Sequence, residues 1–201
     1  MIVDFGGVLT TSIWPAFSAF CEGEGLETDA VRELFKSDPS ALADLRELET
    51  GSVEPAEFER RFAGHLGIPD RATGLIERLF AGLEPDQKMI EAVRAARAAV
   101  RPTGLISNSW GRAIYDHDLM DSLFDAVVIS GDVGLHKPDP AIYLLACERL
   151  GVEPADAVFV DDLRENCEGA EAVGMAAVLH RETDETVRRL EELLGIEVGP
   201  G

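Results

Sequence analysis

Residues 125–162 read DAVVISGDVGLHKPDPAIYLLACERLGVEPADAVFVDD, and two short apolar runs within them flank a stretch of helical spacing. Asp125-Ala-Val-Val-Ile129 and Ala157-Val-Phe-Val-Asp161 show no alternation of apolar with polar residues, which marks strands buried on both faces. Between them Asp139-Pro140 caps a helix whose apolar face carries Ile142, Leu145 and Ala146, and Gly151 stops it. Strand, helix and strand in that order form a crossover unit. The sheet is therefore expected to be parallel and covered by helices on both faces.

The same texture continues outward. Thr103-Gly-Leu-Ile-Ser107 is another apolar strand, preceded by a helix from about Asp86 to Val100. A helix over 163–173, a strand over 175–179 and a closing helix with Val187, Leu190 and Leu194 on one side complete that half. Ile2-Val3-Asp4-Phe5 is a short buried strand that runs into Gly6-Gly7, where the backbone must turn. From Ser12 to about Gly82 the pattern is helical. Ile13, Phe17, Phe20 and Cys21 share one face; Val31, Leu34 and Phe35 make a second, and Leu42, Leu45 and Leu48 a third. Phe58, Phe62 and Leu66 line a helix opened by Pro55, and Leu75 and Leu79 continue the series. The expected architecture is α/β. A doubly wound parallel sheet is built from 1–10 and 83–201, and a small helical cap, 11–82, is inserted after the first strand.

With 201 residues the chain suits one domain carrying a modest insertion. Its formal charge of −20 disfavours nucleic acid and anionic membrane surfaces as partners, because phosphate backbones are bound through Lys and Arg. Small phosphorylated substrates stay open, since they respond to the field inside a pocket. Cys21, Cys147 and Cys167 are odd in number, widely spaced and without a CxxC pair, so neither a disulfide framework nor a zinc site is expected. Cys147, set among apolar residues, belongs in the core. The start, MIVDFGGVL, is too soon acidic for a signal peptide and no apolar run reaches spanning length, which points to the cytoplasm.

Ligands of doubly wound folds bind outside the carboxyl ends of the strands. Four such ends carry polar groups here: Asp4, Ser107-Asn108, Lys137 and Asp161-Asp162. Singly, each has an ordinary explanation as a turn residue, a loop pair or a helix N-cap. Lys137 is less ordinary, because the chain uses fifteen Arg and only three Lys, and a compact ammonium before Pro138 suits a point-charge role. Together the four suit phosphoryl transfer. Carboxylates at two strand ends offer hard oxygen ligands to Mg²⁺. The Ser107 hydroxyl, Lys137 and backbone N–H groups, for which the Gly6-Gly7 turn is a candidate, can surround phosphoryl oxygens. A carboxylate nucleophile divides hydrolysis into formation and breakdown of an aspartyl-phosphate.

VDFGGVLT (3–10), GLISNS (104–109), GLHKPDP (134–140) and VFVDDLREN (158–166) resemble, in that order, the four motifs of the haloacid dehalogenase superfamily. Residues 86–195 are similar to the phosphatase domain at the N-terminus of mammalian soluble epoxide hydrolase. The chain also resembles bacterial sugar-1-phosphate phosphatases of the same branch. The resemblance implies a Rossmann-like core and a Mg²⁺-dependent hydrolase of small phosphate monoesters, sugar phosphates among them. It makes Asp4 the nucleophile and a metal ligand, with the Gly6 carbonyl a second ligand. Ser107 and Asn108 would hold the phosphoryl group and Lys137 would counter its charge. Asp162 would bind the metal, Asp161 would support it directly or through water, and Asn166 would be the polar residue in the helix below it.

One position departs from the pattern. Most phosphatases of the superfamily place a second Asp two residues after the nucleophile as general acid and base, and here that residue is Gly6. Carbon–halogen hydrolysis needs no such acid but conflicts with the Asp161-Asp162 pair. A binding or regulatory protein that keeps the fold is the other alternative. Within the cap, Trp14 lies off the face of Ile13, Phe17 and Phe20 and is a candidate to meet the substrate, packing on the cap surface being the alternative. Arg46 and Glu49 read as a solvated charged face, with an overhang above the pocket as the other option. His65, His117, His136 and His180 form no metal-ligand spacing.

Overall fold

Each of the five apolar runs forms a strand in the computed structural model, which describes residues 1–99 and 101–199. The strands are β1 (Ile2–Val3), β2 (Gly104–Ser107), β3 (Ala126–Ile129), β4 (Val158–Asp161) and β5 (Ala176–Leu179), all parallel, in the order β3-β2-β1-β4-β5. Successive residues of a strand point to opposite faces, so runs without alternation feed two cores at once. Ile2, Ile106, Val128 and Phe159 enter one core, and Val3, Leu105 and Val160 the other. Helices cover both sides. Those after β3 and β4, α9 (Pro140–Leu150) and α10 (Arg164–Ala172), close the first core with Ile142, Tyr143, Ala146 and Ala170. Those at α6 (Gln87–Ala98), α7 (His117–Leu123) and α11 (Thr183–Leu194) close the second with Met89, Val93, Leu123, Val187 and Leu190.

The chain moves outward from β1 to β2 and β3, then returns to place β4 on the other side of β1. The order therefore reverses between β1 and β4, and the crevice that such a reversal opens lies at their carboxyl ends. The Asp4 amide donates to the Val160 carbonyl at 2.9 Å and fixes the two ends side by side.

Between β1 and α6 stand five helices: α1 (Ile13–Glu24), α2 (Ala30–Ser37), α3 (Pro39–Glu49), α4 (Pro55–His65) and α5 (Leu75–Phe80). Phe17, Phe20, Phe58, Phe62, Leu75 and Leu79 form their core. Caps appear where the residue types favour them. Asp38 accepts from Ser40 N (2.8 Å) at the start of α3, and Asp86 accepts from Met89 N (3.0 Å) at the start of α6. Gly151 ends α9 in the left-handed conformation, at φ 66°.

Three details differ from the sequence reading. Leu42 is exposed (45%), because the buried face of α3 runs through Ala41, Leu45 and Leu48 at spacings of four and three. Two short helices go unmarked in the sequence reading: α7 precedes β3, and α8 (Ser130–Val133) follows it directly. Helix α6 ends at Ala98, and Val100, where the sequence placed its end, lies outside the described residues. Among the described residues no helix is long and apolar enough to cross a membrane.

Candidate active site

The crevice at β1 and β4 holds the polar groups of all four strand ends. Lys137, at the end of the segment that leaves β3, sends its ammonium inward. Its Nζ lies 2.6 Å from Asp4 Oδ1, 2.7 Å from Asp161 Oδ2 and 3.1 Å from the Ile106 carbonyl oxygen. Asp161 is fully buried and saturated, since it also accepts from Leu163 N (2.8 Å) and from Asn166 Nδ2 (3.0 and 3.1 Å). Asn166, in the first turn of α10, thus acts through Asp161. Asp162 is only partly buried, and its carboxylate accepts no hydrogen bond from another residue among those described.

Asp4, Asp161 and Asp162 each bring a carboxylate oxygen within 4.8 Å of the others. One ammonium faces three carboxylates, and the electrostatics register the imbalance. Burial pushes the Asp4 carboxyl up to about 7 in spite of Lys137, with Asp161 and Asp162 adding to the rise. Burial and Asp161 push Asp162 up to about 6. Burial works against the charge of Lys137, yet Asp161 and Asp4 hold it above the usual lysine range. A set of hard oxygen donors with uncompensated negative charge suits a divalent cation such as Mg²⁺. Asp4 and Asp162 are the ligands this arrangement leaves free, whereas Asp161 is taken up by Lys137, Leu163 and Asn166.

A cavity of about 200 Å³ opens on this cluster, and Asp4, Gly6, Ser107, Asn108, Lys137 and Asp162 line its floor. The Ser107 hydroxyl accepts from Tyr115 Oη at 2.9 Å, which leaves its proton free to point at an incoming oxygen. Asn108 is committed differently. Its side-chain oxygen accepts from Lys137 N (2.9 Å) and its amide donates to Lys137 O (3.2 Å), so the carboxamide clamps the lysine's backbone. Gly7 stays outside the cavity lining, and its N–H donates to Thr10 Oγ1 at 3.2 Å. A Cβ at Gly7 (φ +75°) would lie 2.7 Å from Asp162 Oδ2, so glycine is what lets Asp162 approach the turn. Gly6 differs: a Cβ there would meet only Ile13 Cγ2, at 3.5 Å.

The roof comes from the cap. Trp14 lines the cavity beside Ile13 and Phe17, with the Arg32 guanidinium 4.4 Å above its ring. Glu49 also lines it, so it is not part of a solvated face. The end of α3 is seated on the core: Ser130 Oγ donates to the Glu49 carbonyl and accepts from Ser109 N at 2.8 Å. Gly51 (φ +71°) packs against the Gly131 backbone so closely that a Cβ would overlap its carbonyl oxygen. Trp110, from the loop after β2, plugs the cap's aromatic core, with ring centroids 5.4–6.0 Å from Phe17, Phe35, Phe58 and Phe80.

Tyr115, Ser130 and Trp110 carry no motif of their own, and sequence reasoning passed over them. The one available signal was position, since all three lie within 25 residues of the polar end of β2. Arg112 is exposed and paired with Asp132 at 2.7 Å.

Fold and site together set a carboxylate cluster with one buried ammonium at the switch point of a doubly wound sheet. The chain belongs to the haloacid dehalogenase-like hydrolases: the model of that family matches residues 1–174. It is 31% identical over 215 residues to Phosphatase MT3486 of Mycobacterium tuberculosis, covering 100% of this chain and 97% of that one. It is 40% identical over 75 residues to Bifunctional epoxide hydrolase 2 of Sus scrofa, covering 37% of this chain and only 14% of that protein. Among solved structures, a haloacid dehalogenase family enzyme of Bacteroides thetaiotaomicron shares the fold, with a TM-score of 0.66 at 20% identity. The match covers 90% of this chain and 92% of that one.

Proposed function

We propose that this protein hydrolyses phosphate monoesters with Mg²⁺, through a phosphorylated Asp4. The observation that carries the reading is the cluster of Asp4, Lys137 and Asp162 at one crevice, with Lys137 Nζ 2.6 Å from one Asp4 oxygen. The other Asp4 oxygen accepts no hydrogen bond among the described residues and is free to attack phosphorus. The ammonium favours the ionised form of Asp4 against its burial and balances charge that spreads over the phosphoryl oxygens. Ser107, whose hydroxyl proton is free, would donate to one of those oxygens. A bound Mg²⁺, held by Asp4 and Asp162 with the Gly6 carbonyl nearby, would supply Lewis-acid stabilisation of the same charge. The phosphatase relative from Mycobacterium supports the chemistry, and the Bacteroides enzyme was crystallised with magnesium and inorganic phosphate.

The cap narrows the substrate. Ile13, Trp14, Phe17, Phe35, Leu45 and Phe80 form most of the wall opposite Asp4, with Glu49 the ionisable group among them. Such a wall offers few partners for the hydroxyls of a sugar and suits an apolar or aromatic leaving group. Small phosphate monoesters of that kind fit better than the sugar phosphates suggested by the sequence.

Turnover of an aryl phosphate should vanish in excess chelator and return with Mg²⁺. Asp4→Asn should reduce it at least 10³-fold without changing the fold, since an amide cannot serve as an anionic nucleophile. Acid-quenched wild type should carry one phosphate on Asp4 by mass spectrometry. Full turnover in chelator, or in Asp4→Asn, would remove the proposed chemistry. Lack of any phosphate turnover by metal-loaded wild type would favour a binding or regulatory role.

A further inference from the structure

The reading above leaves a proton unaccounted for, because position 6 carries no acid. We infer that Glu49, reaching in from the end of α3, is the general acid and base of this site. The inference rests on the phosphatase reading and answers a question that reading raises.

Elimination and geometry lead to it. The ionisable side chains lining the cavity are Asp4, Glu49, Lys137 and Asp162. Asp4 is the proposed nucleophile, Lys137 is held by two carboxylates at 2.6 and 2.7 Å, and Asp162 is a ligand for the proposed Mg²⁺. Glu49 alone has no other assignment. It also comes from the cap, the side where the leaving group must lie when the phosphoryl group rests against Ser107 and Lys137. Its position is fixed through the main chain. The hydrogen bond from Ser130 to its carbonyl and the contact of Gly51 on Gly131 tie the end of α3 to the segment after β3.

The charges around Glu49 come from several elements: Arg46 on its own helix, Asp4 after β1, Lys137 after α8 and Glu165 on α10. Burial pushes its carboxyl up to about 7, with Lys137 and Arg46 pulling the other way. A carboxyl in that range donates readily near neutral pH and is regenerated readily.

The steps balance. An Asp4 carboxylate oxygen bonds to phosphorus while the ester P–O bond breaks. The departing oxygen takes its electron pair and the Glu49 proton and leaves as the alcohol. Glu49, now a carboxylate, removes a proton from water as that oxygen attacks phosphorus. The bond to Asp4 breaks, inorganic phosphate leaves, and Glu49 is again an acid.

The test is Glu49→Gln in the Mg²⁺-loaded protein, on an alkyl phosphate and on 4-nitrophenyl phosphate. The alkyl rate should fall about 10²-fold or more, the usual worth of such catalysis. With the aryl ester, whose leaving group needs no proton, nitrophenolate should appear in a burst of one equivalent ahead of slow turnover. Gly6→Asp in the same variant should restore alkyl hydrolysis at least 10-fold, because position 6 has an ordinary φ and room for a Cβ. Thermal unfolding close to wild type would show that Glu49→Gln is folded. Equal losses on both esters with no burst and no rescue would overturn the role, as would an unchanged alkyl rate. Wild type that turns over no phosphate would instead sink the phosphatase reading beneath it.

Discussion

Lys137 is nearly enclosed, with 1% of its side chain exposed, and it is the one cation in contact with both Asp4 and Asp161 among the described residues. Lys137→Ala removes that charge and leaves Asp161 buried beside Asp4 without compensation. A buried pair broken on one side typically loses about 3–5 kcal/mol of stability. Turnover should fall by about 10²-fold or more through lost charge stabilisation. Chemical denaturation alongside kinetics checks both, and a variant with wild-type turnover would mean another group neutralises the phosphoryl charge. The two glycines of the turn separate in the same way. Gly7→Ala forces a side chain onto the Asp162 carboxylate at a positive φ, so it should destabilise the protein and raise the Mg²⁺ concentration needed for activity. Gly6→Ala meets no such obstacle and should leave stability unchanged or raise it by up to about 1 kcal/mol. Equal stability of the two variants would contradict the close approach of Asp162.

Trp110 and the seat of α3 on the segment after β3 are two of the places where cap and core meet as elements. Trp110→Ala would empty the centre of the Phe17, Phe35, Phe58 and Phe80 cluster, a loss of about 3–5 kcal/mol for a buried aromatic. Hydrogen exchange should quicken across α1–α5 with β1–β5 still protected; uniform loss everywhere would mean that cap and core unfold as one unit. The strands were legible in the sequence because burial on both faces writes continuous apolar runs, and the meeting of Asp4, Lys137 and Asp162 in one crevice because a doubly wound sheet brings its strand ends together. Trp110 was not. Its partners lie between 30 and 93 positions away in the chain, and no local pattern marks a side chain that packs into a different element group. Glu49 was misread for a related reason. Charge on a helix end looks solvated until Gly51 is seen to lie on the Gly131 backbone. Helices α7 and α8 span seven and four residues, too short for an apolar period to show.

For the molecule as a whole the question is how a chain of charge −20 supports more negative charge in its interior. Asp4 is raised to about 7 and Asp162 to about 6, both chiefly by burial. Because these values lie above the unfolded one of 3.8, the native state holds protons that the unfolded chain has released. Their ionisation therefore weakens the fold as pH rises from about 4 to 7, and the cost is fully present above that window. His180 acts in the opposite sense, since burial lowers its pKa and its contribution is lost as pH falls below 6.5. A cation bound by ionised Asp4 and Asp162 offsets the first effect only where both are deprotonated. Saturating Mg²⁺, at 100 times its dissociation constant, contributes about 2.7 kcal/mol. For a chain of this size that is a rise in Tm of roughly 5–10 °C. The rise should appear at pH 8 and largely disappear at pH 5. With so much surface acid any salt will stabilise by screening, so NaCl of equal ionic strength is the reference. Asp162→Asn should respond to Mg²⁺ and NaCl alike. A Mg²⁺ effect equal to that of NaCl in the wild type, or one independent of pH, would assign the stabilisation to the surface and leave the carboxylate cluster without its ion.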